Sequence, residues 1–225
     1  MLDIKEQSIE AVGNLPGMSS YGQPVWSKEG FLVFVAWDHS STNFPLLSRR
    51  LGITFCFNRP CRLLALDWSK DRYKPVNLHS KLKSSFSPVF CPDGRMIFLS
   101  QDNAVKTGVH SATPCLYGTT LESLLSCLAG DSTEIEAKCI IDTKCVECSG
   151  VKFPGFYCTT IKENFVVLDG KSMLLTTVQW RSNLAVIGID LETGQVTRLT
   201  PDNNASWTIL ACKGGKSTFT CQMCL

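Results

Sequence analysis

The amino-acid sequence predicts an all-β fold: a partial β-propeller of about three four-stranded blades plus a fragment of a fourth, with a few short helices in insertions. Short apolar runs, rich in β-branched and aromatic residues, follow one another along the chain with turn residues between them. Three segments share one plan, in which an apolar strand enters a polar turn ending in glycine and a more hydrophobic strand leaves it. After two of these segments comes a strand that ends in aspartate, then a turn and a last strand, so each unit has the four strands of a blade.

The repeated segments are "PVWSKEGFLVFVAW", "PVFCPDGRMIFLSQ" and "FVVLDGKSMLLTTVQW", whose turns end in Gly30, Gly94 and Gly170. Two of the turns contain Asp-Gly, which is a strong hairpin signal. These glycines lie farther apart than the roughly 40–45 residues of compact blades. The excess predicts inserted loops at residues 38–51 and 102–151. An antiparallel sandwich with the same hairpins is the alternative.

Local patterns place the individual elements. In chain order, strands are predicted at residues 31–38, 52–58, 62–68, 95–101, 172–180 and 184–191. The clearest hairpin turn is Glu192-Thr193-Gly194, where Gly194 can adopt a positive φ. Leucines at helical spacing predict a helix over residues 119–130, with Gly130 at its end. Residues 2–13 are a second candidate for a short helix.

Composition excludes several classes of protein. The chain has 225 residues, of which 44% are hydrophobic, enough for one large domain or two small ones. A net charge of +2 gives no electrostatic reason to expect nucleic acid or an anionic membrane as partner. No apolar stretch is long enough to span a bilayer, and the acidic N-terminus lacks the apolar core of a secretory signal.

The twelve cysteines are expected to be reduced, buried thiols that act as small hydrophobic side chains. Cys56 and Cys158, for example, lie in the apolar runs "ITFCFN" and "FYCTT".

Two cysteine pairs have the local spacing of zinc ligands: Cys145 with Cys148, and Cys221 with Cys224. A zinc ribbon separates its pairs by roughly 15–20 residues, and far more separate these. Cys139 and Cys158 could join the first pair if the chain folds back. We expect no metal, because the two pairs lie too far apart in the sequence, and no redox site, because no βαβ context surrounds either pair.

The C-terminal stretch "CKGGKSTFTCQMCL" resembles a phosphate-binding loop only superficially. Such a loop needs a glycine five residues before Gly215, where the chain has Leu210, and a helix must follow it. We therefore expect no nucleotide, and interpret "WTILACKGGKST" as the first strand and turn of another blade. Residues 212–225 are predicted to be an off-pattern, disordered tail.

The remaining candidates are expected to be structural. We expect three arginines to be solvated or paired with nearby acidic side chains: Arg49, Arg50 and Arg59. The alternative is that they form a rim that attracts a peptide carboxylate. The tryptophans expected in the core between blades are Trp26, Trp37, Trp180 and Trp207. Asp67 and Asp190 should accept hydrogen bonds from turn N–H groups. His110 and Ser111 are neighbours, but no orienting carboxylate is identifiable.

Several segments together resemble the propeller of acylamino-acid-releasing enzymes (acylaminoacyl peptidases), which belong to the prolyl oligopeptidase family, and the plant-type enzymes most of all. The most specific are "LGITFCFNRPC" and "FPGFYC"; "SYGQPVWSKEGFLVFVAW", "FSPVFCPDGRMIFLS" and "VQWRSNLAVIGIDLETGQVTRLTPDNNASWTILA" add to them. The resemblance covers residues 21–211.

The resemblance implies a cytoplasmic, oligomeric serine exopeptidase that removes N-acylated amino acids from short blocked peptides. In that family a propeller of about seven blades covers an α/β-hydrolase domain that carries the Ser, Asp and His of the active site. The present sequence has no Gly-x-Ser-x-Gly, and its three histidines, His39, His79 and His110, all fall in expected propeller loops. No catalytic, cofactor or metal residue is therefore assigned.

We expect three regions: an N-terminal extension (1–20), a partial propeller (21–211) and the tail (212–225). The predicted function is that of the lid, substrate size filter and oligomer scaffold of an acylaminoacyl peptidase, inert without its hydrolase domain. The expected partners are that hydrolase domain or full-length subunits, with N-acylated peptides as substrates of the full-length enzyme. The alternative is a non-enzymatic, truncated isoform that acts as a protein-interaction module.

Overall fold

The computed structural model describes residues 2–3, 8–9, 15, 19–38, 60–67, 76–78, 81–107, 113–143, 146–148, 151–158, 160–168, 170–212 and 219–224. Within these ranges, most residues belong to antiparallel sheets. The chain begins with a two-stranded sheet of β1 (Leu2–Asp3) and β2 (Ser8–Ile9).

Three four-stranded sheets follow, which we call blades one, two and three. Blade one consists of β3 (Ser19–Trp26), β4 (Phe31–Asp38), β5 (Cys61–Asp67) and β6 (Val76–Leu78). Blade two consists of β7 (Phe86–Phe90), β8 (Met96–Ser100), β9 (Cys115–Thr119) and β10 (Lys138–Ile141), with helices α1 (Asp102–Thr107) and α2 (Leu121–Ala129) between strands. A small sheet of β11 (Val146–Cys148) and β12 (Val151–Phe153) precedes blade three, which consists of β13 (Phe165–Leu168), β14 (Lys171–Trp180), β15 (Asn183–Asp190) and β16 (Val196–Arg198).

Each blade is a meander in which every strand pairs antiparallel with the next strand of the chain. This is the four-stranded unit of a β-propeller. The predicted fold class, an all-β partial propeller with short helices in insertions, is confirmed. Five of the six predicted strands coincide with β4, β5, β8, β14 and β15 to within a residue or two. The sixth, residues 52–58, lies outside the described residues, as does most of the first inserted loop.

The second predicted insertion is wrong in part, because residues 102–151 hold two strands of blade two. β9 pairs with β8, and β10 pairs with β9. The sequence "CLYGT" of β9 is short and contains a glycine, and helix α2 separates it from its partner β10. Neither strand therefore carries the apolar run, rich in β-branched and aromatic residues, from which the other strands were predicted.

Helix α2 is confirmed, and its ends are capped as its sequence indicates. The side chain of Thr120 accepts a hydrogen bond from the N–H of Ser123, and Gly130 follows the helix at φ 87°. The helix candidate at residues 2–13 is wrong for the described residues, since β1 pairs with β2 there. So short a segment has too few hydrogen bonds to hold a helix without a packed apolar face. Neither described helix is long and apolar enough to cross a membrane.

The apolar runs are continuous because the middle strands of each blade are buried on both faces. In β4, Val33, Phe34, Val35 and Ala36 are all buried, although successive side chains point to opposite faces. One large hydrophobic cluster extends through all three blades. Trp180 is buried within it, as predicted. Trp37 packs against the same cluster and Trp207 is half-buried.

The prediction that Trp26 lies in the core is wrong. Its side chain is 44% exposed. Trp26 is the last residue of β3, the edge strand of blade one, and lies directly before the Gly30 turn.

Equivalent bulges in blades one and two connect the blades through hydrogen bonds. Gln23 in β3 and Ser87 in β7 both have φ 52° and both precede a proline, at a break in strand register. The N–H of Ser87 donates to Oε1 of Gln23 over 2.7 Å. The Oγ of Ser87 in turn accepts the N–H of Ile161, ahead of blade three, over 2.8 Å. The repeat thus supplies contacts between successive blades as well as strands within them.

A two-stranded sheet, here called the half-blade, follows blade three. It consists of β17 (Ser206–Cys212) and β18 (Phe219–Cys224), paired antiparallel. Ser206 accepts the N–H of Leu184, and Thr177 accepts the N–H of Ile209, so β17 is joined to blade three. The predicted disorder of residues 212–225 is wrong for residues 219–224, which form β18. The glycine-containing segment between the two strands, which was predicted to be a turn, lies outside the described residues.

Candidate functional site

The histidines, the serine and the arginines that the sequence analysis weighed, and did not assign to catalysis, lie outside the described residues. These are His39, His79, His110, Ser111, Arg49, Arg50 and Arg59. Of the two cysteine pairs, Cys145 lies outside the described residues, and the side chains of Cys148, Cys221 and Cys224 are not described. The geometry of these candidates therefore contributes nothing to the assignment of a site.

A cluster that the sequence analysis missed lies on the outer strands of blade two. Cys115 is the first residue of β9, Cys139 lies in β10, and Asp142 directly follows β10. Their Sγ, Sγ and carboxylate oxygen atoms all lie within 4.8 Å of one another. Cys115 is half-buried, whereas Cys139 and Asp142 are exposed. We call these three residues the thiol cluster.

A β-bulge brings the thiol cluster together. Cys139 lies opposite Tyr117, but Ile141 lies opposite Leu116, so Ile140 is an extra residue in β10. In a regular strand, residues three apart point to opposite faces. The extra residue restores Asp142 to the face that Cys139 occupies. The same face carries Cys115 and Tyr117, which are two residues apart in β9.

Gly118 makes room for this bulge. A Cβ at Gly118 would lie 2.9 Å from Cδ1 of Ile140, so the bulged side chain occupies the space above the glycine. Gly194 abuts the bulge from blade three, where a Cβ would lie 2.4 Å from the carbonyl oxygen of Ile140. The bulge is thus held by contacts from two blades.

Neighbouring groups orient the thiol cluster. The backbone N–H and the hydroxyl of Thr143 donate to Oδ1 of Asp142 over 2.7 and 3.3 Å. The Cys115 thiol donates to the same oxygen over 3.7 Å. The Tyr117 hydroxyl hydrogen-bonds the sulfur of Cys139. The Tyr117 ring is stacked on buried Phe98, with centroids 5.9 Å apart.

The two thiols differ in acidity because they interact with each other. The neighbouring Cys115 thiol lowers the pKa of Cys139 below its usual value, although burial opposes this. The same interaction, followed by burial, raises the pKa of Cys115. Burial, together with the two neighbouring thiols, also raises the pKa of Tyr117. Two cysteine sulfurs beside a carboxylate form a donor set for a soft or borderline cation.

Other described cysteines match the predicted inert thiols. Cys61, Cys91 and Cys127 are buried in the hydrophobic cluster. Burial, with the nearby Asp93 charge, raises the pKa of Cys91 to about 12. Burial likewise raises the pKa of Cys158 to about 11. The prediction of buried thiols is thus confirmed for Cys61, Cys91 and Cys127 but is wrong for Cys139, which is exposed.

A cleft of about 1030 Å³ lies beside the thiol cluster, between blade two and the β15–β16 turn of blade three. Tyr117 and Lys138 line it, as do Arg95 and Glu192. Nη1 of Arg95 lies 2.6 Å from a carboxylate oxygen of Glu192, so an ion pair joins the two blades at its wall. Its lining is mixed, with hydroxyl, charged and apolar groups.

The turn of blade three is held by Asp190, as predicted. Its Oδ1 accepts the N–H groups of Glu192 and Thr193, and its Oδ2 lies 3.3 Å from Nζ of Lys171. Burial opposes ionisation, but these hydrogen bonds outweigh it and hold the pKa of Asp190 below its usual value. Gly194 has φ 72°, as the predicted hairpin requires.

The blades and their Gly-containing turns match a known family over nearly the whole chain. A family model described as "Acylamino-acid-releasing enzyme, N-terminal domain" matches residues 1–222. This chain belongs to that family.

Relatives among the acylamino-acid-releasing enzymes include plant and animal proteins. Acylamino-acid-releasing enzyme 1 of Oryza sativa is 32% identical over 94% of this chain, and the enzyme of Arabidopsis thaliana is 31% identical over 95%. The enzyme of Mus musculus is 26% identical over 93%. The chain spans 28% of the length of each plant relative and 26% of the mouse relative.

Among solved structures, TolB from Acinetobacter baumannii aligns with 88% of this chain and 50% of its own, at 16% identity and a TM-score of 0.32. We draw no inference from a likeness at that score.

Proposed function

We propose that this chain forms the propeller part of an acylaminoacyl peptidase, where it acts as lid, substrate size filter and oligomer scaffold. The observation that carries the proposal is the coincidence of three four-stranded blades with the N-terminal domain of the acylamino-acid-releasing enzyme family. A wall of packed blades restricts access to an enclosed active site, so it selects short peptides by size without contributing a reacting group. Its partners on this proposal are a catalytic hydrolase domain or full-length subunits, and the location is the cytoplasm.

We further propose that the chain is catalytically inert by itself. The family's serine nucleophile requires a Gly-x-Ser-x-Gly turn, and the sequence contains none. None of its three histidines follows such a turn.

The half-blade favours docking onto a further polypeptide. Leu210, in β17, is 59% exposed, so the half-blade presents an apolar side chain to a partner. The same surface suits the alternative function, a non-enzymatic module that binds full-length subunits. We propose a functional division into residues 1–20 and 21–211, with β18 continuing the propeller beyond that boundary.

Activity measurements test the inertness directly. The purified chain is incubated with acetyl-alanine nitroanilide and with a fluorophosphonate probe, beside a boiled sample. We expect neither turnover nor labelling above the boiled control. Hydrolysis that co-purifies with the chain through a further column and is abolished by the probe would overturn the proposal.

A further inference from the structure

We propose that Cys115, Cys139 and Asp142 form a binding site for one Zn²⁺ ion on the outer strands of blade two. The test of this proposal does not depend on any catalytic activity. The sequence expectation of no metal rested on the spacing of the Cys-x-x-Cys pairs. The fold instead brings together two cysteines from different strands.

The distances between the donor atoms suit a tetrahedral ion. Zinc bonds of about 2.3 Å to sulfur and 2.0 Å to oxygen place neighbouring ligands about 3.5 Å apart for sulfur and oxygen, and about 3.8 Å apart for two sulfurs. The Sγ of Cys115 and Oδ1 of Asp142 are 3.7 Å apart. All three donors lie within 4.8 Å of one another. Small side-chain rotations therefore suffice to close the three protein positions around one ion.

The fold prepares these donors before any ion arrives. The bulge at Ile140 aligns Cys139 and Asp142 on the face of Cys115, and bulges commonly re-aim side chains beside functional sites. Two hydrogen bonds from Thr143 hold the Asp142 oxygen that faces Cys115. The Tyr117 hydroxyl contacts the Cys139 sulfur. Such outer partners orient metal ligands and raise their affinity for the ion.

The chemistry of the donor set favours zinc over other cations. Two sulfurs exclude Mg²⁺ and Ca²⁺, which take oxygen ligands. A carboxylate suits borderline Zn²⁺ better than soft Cu⁺, which selects thiolate and thioether ligands. Cys139 and Asp142 are exposed, so a water molecule can complete the fourth position. Binding displaces the thiol protons to solvent, and no redox change occurs.

The test uses the full chain, expressed with added zinc sulfate and purified without chelator in a phosphine reductant. We expect one zinc per chain by elemental analysis, and a thiolate-to-cobalt charge-transfer band when Co²⁺ replaces zinc. The Cys115→Ser/Cys139→Ser variant should lose both signals. The matched control is Cys145→Ser/Cys148→Ser, which removes a pair of standard zinc spacing and should keep both.

Two further measurements keep the proposal testable if the Cys115→Ser/Cys139→Ser variant does not fold. Tyr117→Phe retains every ligand and should weaken zinc binding about tenfold in competition with a chromophoric chelator. In the unmutated chain, Zn²⁺ should slow iodoacetamide labelling of Cys115 and Cys139, located by peptide mass spectrometry. The proposal is overturned if the chain holds no zinc, if Cys145→Ser/Cys148→Ser alone loses it, or if zinc leaves the labelling of both thiols unchanged.

Discussion

Replacing Gly194 with alanine should destabilise the chain much more than the same change at Gly30. Both glycines lie in hairpin turns with positive φ, 72° and 88°. An alanine in this region costs about 1 kcal/mol or somewhat more, which both variants share. A Cβ at Gly194 also meets the carbonyl oxygen of Ile140 at 2.4 Å, whereas no described atom lies within 4 Å of a Cβ at Gly30. Because this backbone carbonyl cannot rotate away as a side chain can, the turn of blade three would have to move away from the bulge in blade two.

Overpacking of this kind costs about 1–3 kcal/mol. We therefore expect Gly194→Ala to lower the free energy of unfolding by about 3 kcal/mol in total and Gly30→Ala by about 1 kcal/mol. Urea unfolding followed by tryptophan fluorescence measures both, at one fixed protein concentration because self-association shifts the midpoint. Equal losses in the two variants would refute the contact between the turn and the bulge.

Three further predictions concern the packing and charge of the blades. Ser87→Ala should cost about 1–3 kcal/mol because the buried N–H of Ile161 loses its acceptor; Ser123→Ala, which removes an exposed bond of the same 2.8 Å length, should cost less, and equal urea midpoints would contradict this. Asp190 has a lowered pKa, so its stabilising effect is present above its usual value of 3.8 and is lost as pH falls below it. In Asp190→Asn, the free energy of unfolding should therefore fall less steeply with acidification than in the unmutated chain, and an equal slope in the two proteins would disprove the assignment. Phe98→Ala should cost about 3–5 kcal/mol in the same unfolding assay, because Phe98 is fully buried; a loss below about 1 kcal/mol would contradict its place in the core.

The blade repeat was predictable because short stretches of sequence determine its turns and strands. The turn glycines Gly30, Gly94 and Gly170 all have positive φ, and the strands after them are buried on both faces. Local sequence therefore determines both the hairpins and their burial. β9 and β10 were not predictable, because α2 separates two short strands that pair only in the folded chain.

The thiol cluster could not have been found from the sequence. Cys115 and Cys139 lie on different strands, and no spacing rule connects them. Asp142 joins them only because Ile140 is bulged, and that bulge depends on the space above Gly118 and on the contact with Gly194. The Cys-x-x-Cys pairs could be recognised as candidate metal ligands because the spacing of their cysteines is a local sequence pattern. The thiol cluster forms only when the strand register brings its residues side by side.

The most direct test of the account is whether the isolated chain is a self-sufficient domain. A partial propeller leaves two blade faces in water, each on the order of several hundred Å². At about 25 cal/mol per Å², the lost burial is on the order of 10 kcal/mol, comparable with the whole stability of a typical domain. Size-exclusion chromatography with light scattering should show a self-associated chain, and its thermal melting midpoint should rise with protein concentration. A monomer that unfolds in one sharp transition at ordinary melting temperatures would contradict the account.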